Sequence, residues 1–177
     1  MSAFFWIIAA VVSRIAPHPW WSFTAVGAGL LYFGSKQKLR FIWIPVAALA
    51  ATDYYLTVYT YNYPFHVADY LVTWAWYAAI VVLGTLLLSK KITALRVGSG
   101  AVLASTSFFL ISNYAVWVSS AMYPHTLGGL ATCYVAGLPF YGNDLCSTLL
   151  FSAIAFGLPA LGRKMAESRA ANQQVAL

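Results

Sequence analysis

Apolar residues fall along this chain in long blocks, separated by short stretches rich in Lys, Arg, Pro, Gly and Tyr. Four blocks, Phe41 to Tyr61, Tyr70 to Leu88, Val97 to Ala121 and Asp144 to Leu161, match the ~20 residues with which a helix crosses a ~30 Å hydrocarbon core. Two earlier blocks, Ala3 to Ala16 and Trp20 to Phe33, are shorter. Pro17-His18-Pro19 divides them, because proline lacks a backbone donor and pushes the residue before it out of the helical region. The pattern predicts an all-α, polytopic membrane protein of six transmembrane helices, the first two a short pair. The stretch from Tyr123 to Asp144, broken by Gly128-Gly129 and Leu138-Pro139, reads as a long non-helical connection between helices 5 and 6, with Asp144 as the N-cap of helix 6.

Composition agrees on the solvent. With 62% hydrophobic and 8% charged residues and a mean hydropathy of +0.75, the chain lies far outside the range of soluble domains. At 177 residues it reads as one transmembrane domain over residues 1–162, followed by a polar cytoplasmic tail at 163–177. No basic residue precedes the first block and no convincing small-x-small cleavage site follows it, so the N-terminus is expected as a helix and not as a cleaved signal peptide.

Charge sets the orientation, since basic residues in short loops stay cytoplasmic. Lys36, Lys38 and Arg40 precede helix 3, Lys90, Lys91 and Arg96 separate helices 4 and 5, and Arg163, Lys164 and Arg169 follow helix 6. Six helices with both termini in the cytoplasm put all of these on one side. The net charge of +6 is then a topology signal, and no RNA-binding motif or basic recognition helix points to nucleic acid. His18, His66, His125, Asp69 and Asp144 fall on the opposite side.

Polar groups inside the blocks carry the candidate chemistry, because an ionisable side chain within a membrane is costly unless it is paired or faces a wet cavity. At 1.5 Å per residue, Arg14 sits about 16 Å up helix 1, Asp53 about 18 Å up helix 3 and Asn113 about 24 Å up helix 5. Asp53, Thr57 and Thr60 share one face of helix 3, and Ser99, Thr106 and Asn113 share one face of helix 5 with Trp117 a turn above. Two readings stand: Arg14 and Asp53 form a buried ion pair that fixes helix packing, or these groups line a ligand cavity. The segment TDYYLTVYTYNYPFHVADYLVTWAWY, with seven tyrosines and two tryptophans, supplies either an interfacial belt or the walls of a pocket for a flat ligand.

The stretches SRIAPHPWWSFTAVGAGLLYFG, PVAALAATDYY, SNYAVW and YPHTLGGLATCYVAGLPFYGNDLCSTLLF resemble an uncharacterised bacterial family of small integral membrane proteins. The resemblance covers about residues 10 to 160, and that family is in turn similar, in helix number, size and loop placement, to the substrate-binding S components of energy-coupling factor vitamin transporters. The resemblance implies an S-component-like bundle in the bacterial cytoplasmic membrane, with a pocket near the outer face under the loops after helices 1, 3 and 5. It also implies docking on a transmembrane coupling subunit with ATPases through small residues of helix 1, for which Ala9 and Ser13 are the nearest counterpart.

Catalysis finds little support. No HExxH spacing and no Gly-rich phosphate loop is present, and the one glutamate, Glu167, lies in the tail. The three histidines could meet as metal ligands from three loops, but histidines without local spacing are more often loop hydrogen-bonders. Cys133 and Cys146 stand either as a disulfide or as two free apolar cysteines. The expectation is therefore a non-enzymatic, cofactor-free substrate-binding subunit for uptake of a small, flat, polar nutrient. Arg14, Asp53, Asn113 and Asp144 would meet the ligand's polar edge, and Trp117, Tyr123 and His125 would cover it from the loops. The alternative is an accessory or assembly subunit of a larger membrane complex.

Overall fold

A computed structural model describes residues 2–17, 19–20 and 22–175. Six α-helices form the described chain: α1 (Ala3–Ile15), α2 (Val26–Lys36), α3 (Trp43–Tyr55), α4 (Leu71–Leu88), α5 (Ala94–Ser119) and α6 (Leu127–Val175). A short 3-10 turn precedes α3 and a π-helical turn, Leu56–Thr60, extends it, so one span runs from Leu39 to Thr60. Four spans, Leu39–Thr60, Val67–Leu88, Ala94–Ser119 and Leu127–Arg169, are long and apolar enough to cross a membrane. The protein is thus an all-helical membrane protein with four long spans, whereas α1 and α2, at 13 and 11 residues, are too short for a full crossing.

Consecutive helices run antiparallel. Ser13 meets Ala25 while Phe4 meets Phe33; Asp53 meets Trp74 while Thr57 meets Tyr70; Thr106 meets Tyr141 while Asn113 meets Cys133. The connections therefore alternate between the two ends of the bundle. Those bearing Lys36, Lys38 and Arg40, and Lys90, Lys91 and Arg96, share the end toward which α6 carries Arg163, Lys164 and Arg169.

The core is organised around α2, in which every residue from Val26 to Ser35 is buried. A helix enclosed on all sides needs small residues where its neighbours cross it. Gly29 lies beneath the Trp6 carbonyl of α1, and Gly27 lies against Thr148 of α6. Gly34 and Gly84 make a reciprocal crossing with α4: a Cβ on Gly34 would meet the Val81 carbonyl, and one on Gly84 would meet the Leu31 carbonyl. Thr85 donates its hydroxyl to the Gly34 carbonyl at 2.8 Å, adding a polar link at the same point. Around this crossing pack Trp6, Leu30, Leu31, Phe33, Leu49, Tyr77, Ile80 and Val81, the apolar bulk of the interior.

Two segments differ from the sequence reading. The second helix begins at Val26 and not at Trp20, because Pro17 and Pro19 hold the chain extended and Ser22 takes a left-handed φ of 61° that no helix accommodates. Ser13 then serves α2 directly: its hydroxyl oxygen accepts from the Ala25 N–H at 3.0 Å and its hydroxyl donates to Ala10 at 2.9 Å. With Ala9 also packed against the core, the Ala9 and Ser13 pair faces this protein's own interior and is not a free docking stripe.

The larger correction concerns Tyr123 to Asp144, which is helix from Leu127 onward; only residues 120–126 connect α5 to α6. Thr126 caps the start, its Oγ1 accepting from the Gly129 N–H at 3.1 Å. Glycine and proline weaken helices in water, but in a bilayer every backbone group must be satisfied internally, which keeps Pro139 and Pro159 inside one continuous helix. The glycines are packing residues: a Cβ at Gly137 would fall on the Asn113 side chain and one at Gly129 on the Pro124 backbone. Asp144 is consequently a mid-helix residue and caps nothing. At 49 residues α6 is about 74 Å long, so it extends well beyond a ~30 Å hydrocarbon core, and the tail expected at 163–177 continues it as helix through Val175.

The crossing of α2 and α4 yields a test. Gly34→Ala forces a methyl into the Val81 carbonyl and is expected to destabilise the protein by about 1–3 kcal/mol. Gly98→Ala, where a Cβ meets open space, should be neutral or stabilising by up to about 1 kcal/mol. Denaturant unfolding of the two variants in detergent measures both.

Candidate functional site

Asp53 sits one turn before the π-helical turn of α3 and is 3% exposed. Its carboxylate is fully engaged. Arg14, in the last turn of α1, donates Nη2 to Oδ1 at 2.6 Å, and Trp74 donates Nε1 to Oδ2 at 3.0 Å. Tyr77 accepts from Arg14 Nη1 at 2.9 Å and turns its own hydroxyl toward both carboxylate oxygens at 3.4 and 3.5 Å. Trp74 and Tyr77 are three residues apart on α4, so one helix face delivers both. Arg14 also stands where the carbonyl end of α1 favours a cation.

The π-helical turn continues the site. Thr57 donates to the Asp53 carbonyl at 2.7 Å and also bonds the Tyr70 hydroxyl. Phe65 and Tyr70 stack with ring centres 4.8 Å apart, and Trp74 lies 6.2 Å beyond Tyr70, so the loop after α3 is anchored to the same residues that hold Asp53. A residue added to a helical turn rotates the positions beyond it, and Thr60 and Tyr61 turn toward the space between the helices.

That space is a cavity of about 530 Å³. Arg14, Ile15 and Pro17 at the end of α1 form one side, with Ser22, Thr24 and Val26 leading into α2. Leu56, Thr60 and Tyr61 form a second side. Trp76, Tyr77, Phe108, Phe140 and Asp144 complete it from α4, α5 and α6. Trp76 is held by its Nε1 bond to Ser107 at 3.0 Å and by Phe108, whose ring centre lies 4.7 Å away. The cavity lies toward the bundle end opposite the one that carries the basic connections, as the antiparallel order requires.

Of the residues singled out from the sequence, Arg14 and Asp144 line this cavity and Asp53 stands directly behind Arg14. The other four lie at the seam of α5 and α6. Asn113 bonds the Phe109 carbonyl at 2.8 Å and packs on Gly137 and Cys133. Trp117 donates to the Pro124 carbonyl at 2.9 Å and meets the ring of His125, which is exposed; Tyr123 is half-buried in the same turn. None of these four is among the lining residues. Along the α5 stripe, Thr106 bonds Tyr141 but Ser99 is exposed. His18 lies outside the described residues, and among the described residues no group of three His, Cys, Asp or Glu is close enough to hold a metal. Cys133 and Cys146 are free thiols thirteen positions apart on one helix.

A family model matches residues 1–171. The chain belongs to that family, DUF6580, a family of unknown function. No curated protein and no solved structure matches the chain. The family match spans every residue of the cavity, from Arg14 to Asp144.

Sequence reasoning missed the roles of Trp74, Trp76, Tyr77, Phe108 and Phe140. A signal exists for three of them: TWAWY puts two indoles and a phenol on adjacent faces of α4 opposite the only acid of α3, yet an interfacial belt has the same composition. Removing one partner of a buried pair leaves an uncompensated charge, so Asp53→Ala is expected to cost about 3–5 kcal/mol. The double variant Arg14→Met with Asp53→Leu should recover most of that loss, which unfolding measurements in detergent will report.

Proposed function

We propose that the protein is a membrane-embedded substrate-binding subunit for uptake of a small, flat, polar nutrient of vitamin-like size. The observation that carries the reading is the cavity of about 530 Å³, whose aromatic and aliphatic walls hold one arginine and one aspartate. Small-molecule sites commonly occupy about 300–1,000 Å³ and combine such walls with a few placed polar groups. In this reading α1 and α2 complete a six-helix, S-component-like bundle in the bacterial cytoplasmic membrane. Both termini and the basic connections lie in the cytoplasm, and the cavity faces outward.

The subunit performs no chemistry on its ligand and needs no cofactor; it binds and releases. Trp76, Tyr77, Phe108 and Phe140 cover the ligand's faces, and Arg14 and Asp144 meet its polar edge. Asp53 acts through Arg14, holding the guanidinium in place. A transmembrane coupling subunit with ATPases is the partner such a component would use. Because Ser13 is engaged with α2, that partner would meet α1 on its outer face, where Phe5, Ile8 and Val12 are exposed.

The alternative, an accessory or assembly subunit of a larger complex, draws its support from the completeness of the Asp53 network, which needs no ligand. Native mass spectrometry of gently extracted protein separates the two. A binding subunit retains a small molecule, and Thr60→Trp, which fills the cavity from the exposed end of α3, should abolish retention while leaving the protein folded. Retention of partner subunits with no small molecule, unchanged by Thr60→Trp, would establish the accessory role.

A further inference from the structure

Among the described residues, the cavity holds an acid without a counter-ion. Arg14 and Asp144 both line it, but the Arg14 guanidinium is already matched by Asp53 at 2.6 Å, the one ion pair among the described residues. Ser105 of α5, 1% exposed, lies within electrostatic reach of the Asp144 carboxyl but outside full hydrogen-bond geometry, so its Oγ has no other partner. Thr148, one turn along α6 on the same face and fully buried, also has an Oγ1 with no partner. Arg14 and Asp53 cancel, so among the described residues the lining is left with one carboxyl that has no cation opposite it.

We infer that the ligand of this cavity is an organic cation, a flat or partly aromatic molecule whose positive centre pairs with Asp144. The inference rests on the binding-subunit reading above and narrows it to a charge class. An anion would have to bring its charge beside Asp144, and its only cationic partner among the described residues, Arg14, is already engaged. A neutral ligand would leave the carboxylate uncompensated in a cavity with mostly apolar walls, which is the costly arrangement within a membrane. A cation removes that cost, and the faces of Trp76, Tyr77, Phe108 and Phe140 supply the negative aromatic surface that attracts it.

Three probes of one ring system and similar size test this: tryptamine, a cation at neutral pH, tryptophol, which is neutral, and indole-3-propionate, an anion. Equilibrium dialysis against the detergent-solubilised protein should rank tryptamine first, by at least about tenfold over tryptophol, with indole-3-propionate last. Asp144→Asn should erase the tenfold preference, and Asp144→Glu should keep it. Equal affinities, a preference for the anion, or a tryptamine preference that survives in Asp144→Asn would overturn the inference while leaving a binding cavity intact. If none of the three binds and Thr60→Trp changes nothing retained by the native protein, the binding-subunit reading fails, and the charge class falls with it.

Discussion

Asp53 imposes the condition that the upper half of the bundle satisfies. A carboxylate this deeply buried in a membrane protein is tolerable only when each oxygen has a donor, and those donors come from α1 and α4 at once. The consequence is geometric. The last turn of α1, the middle of α3 and the first turns of α4 must converge on one point, and the chain between α1 and α2 must leave that point sideways, through its prolines. Convergence around a charged centre on one side, with the bulk of α5 and α6 on the other, leaves the space that becomes the cavity.

At the opposite end the condition is steric. Because α2 is enclosed, its distance from α1, α4 and α6 is set by glycines, and backbone approaches backbone. Gly34 and Gly84 hold α2 against α4 toward the basic end, and Gly27, next to the cavity-lining Val26, also brings α2 close to α6 at the other.

The sequence makes much of this legible and hides a definite part. The blocks starting at Phe41, Tyr70 and Val97 lie close to spans beginning at Leu39, Val67 and Ala94, because length and hydropathy alone decide a membrane crossing. Arg14 and Asp53 stand out because charge within an apolar block has few physical solutions; the two are paired, and Arg14 also lines the cavity. The α5 to α6 region misleads for an equally physical reason. Gly128, Gly129, Gly137 and Pro139 are turn formers when water can satisfy the backbone, and in this setting all four lie within one helix, Gly129 and Gly137 as its contact points with Pro124 and Asn113. The sequence pattern places Asn113, Trp117, Tyr123 and His125 under a covering loop that does not exist, and they join α5 to α6 instead. Phe108 and Phe140 give no signal, since a phenylalanine facing a cavity is indistinguishable in sequence from one facing lipid.

The unbroken course of α6 has a mechanical consequence. Asp144 and Arg163 belong to one rod and lie nineteen residues apart, about 28 Å along the axis. Pro159, which lacks the N–H that would close one turn of the helix, lies between the two, so a tilt of the segment that carries Asp144 has a point where it is taken up before it reaches Arg163 and Lys164.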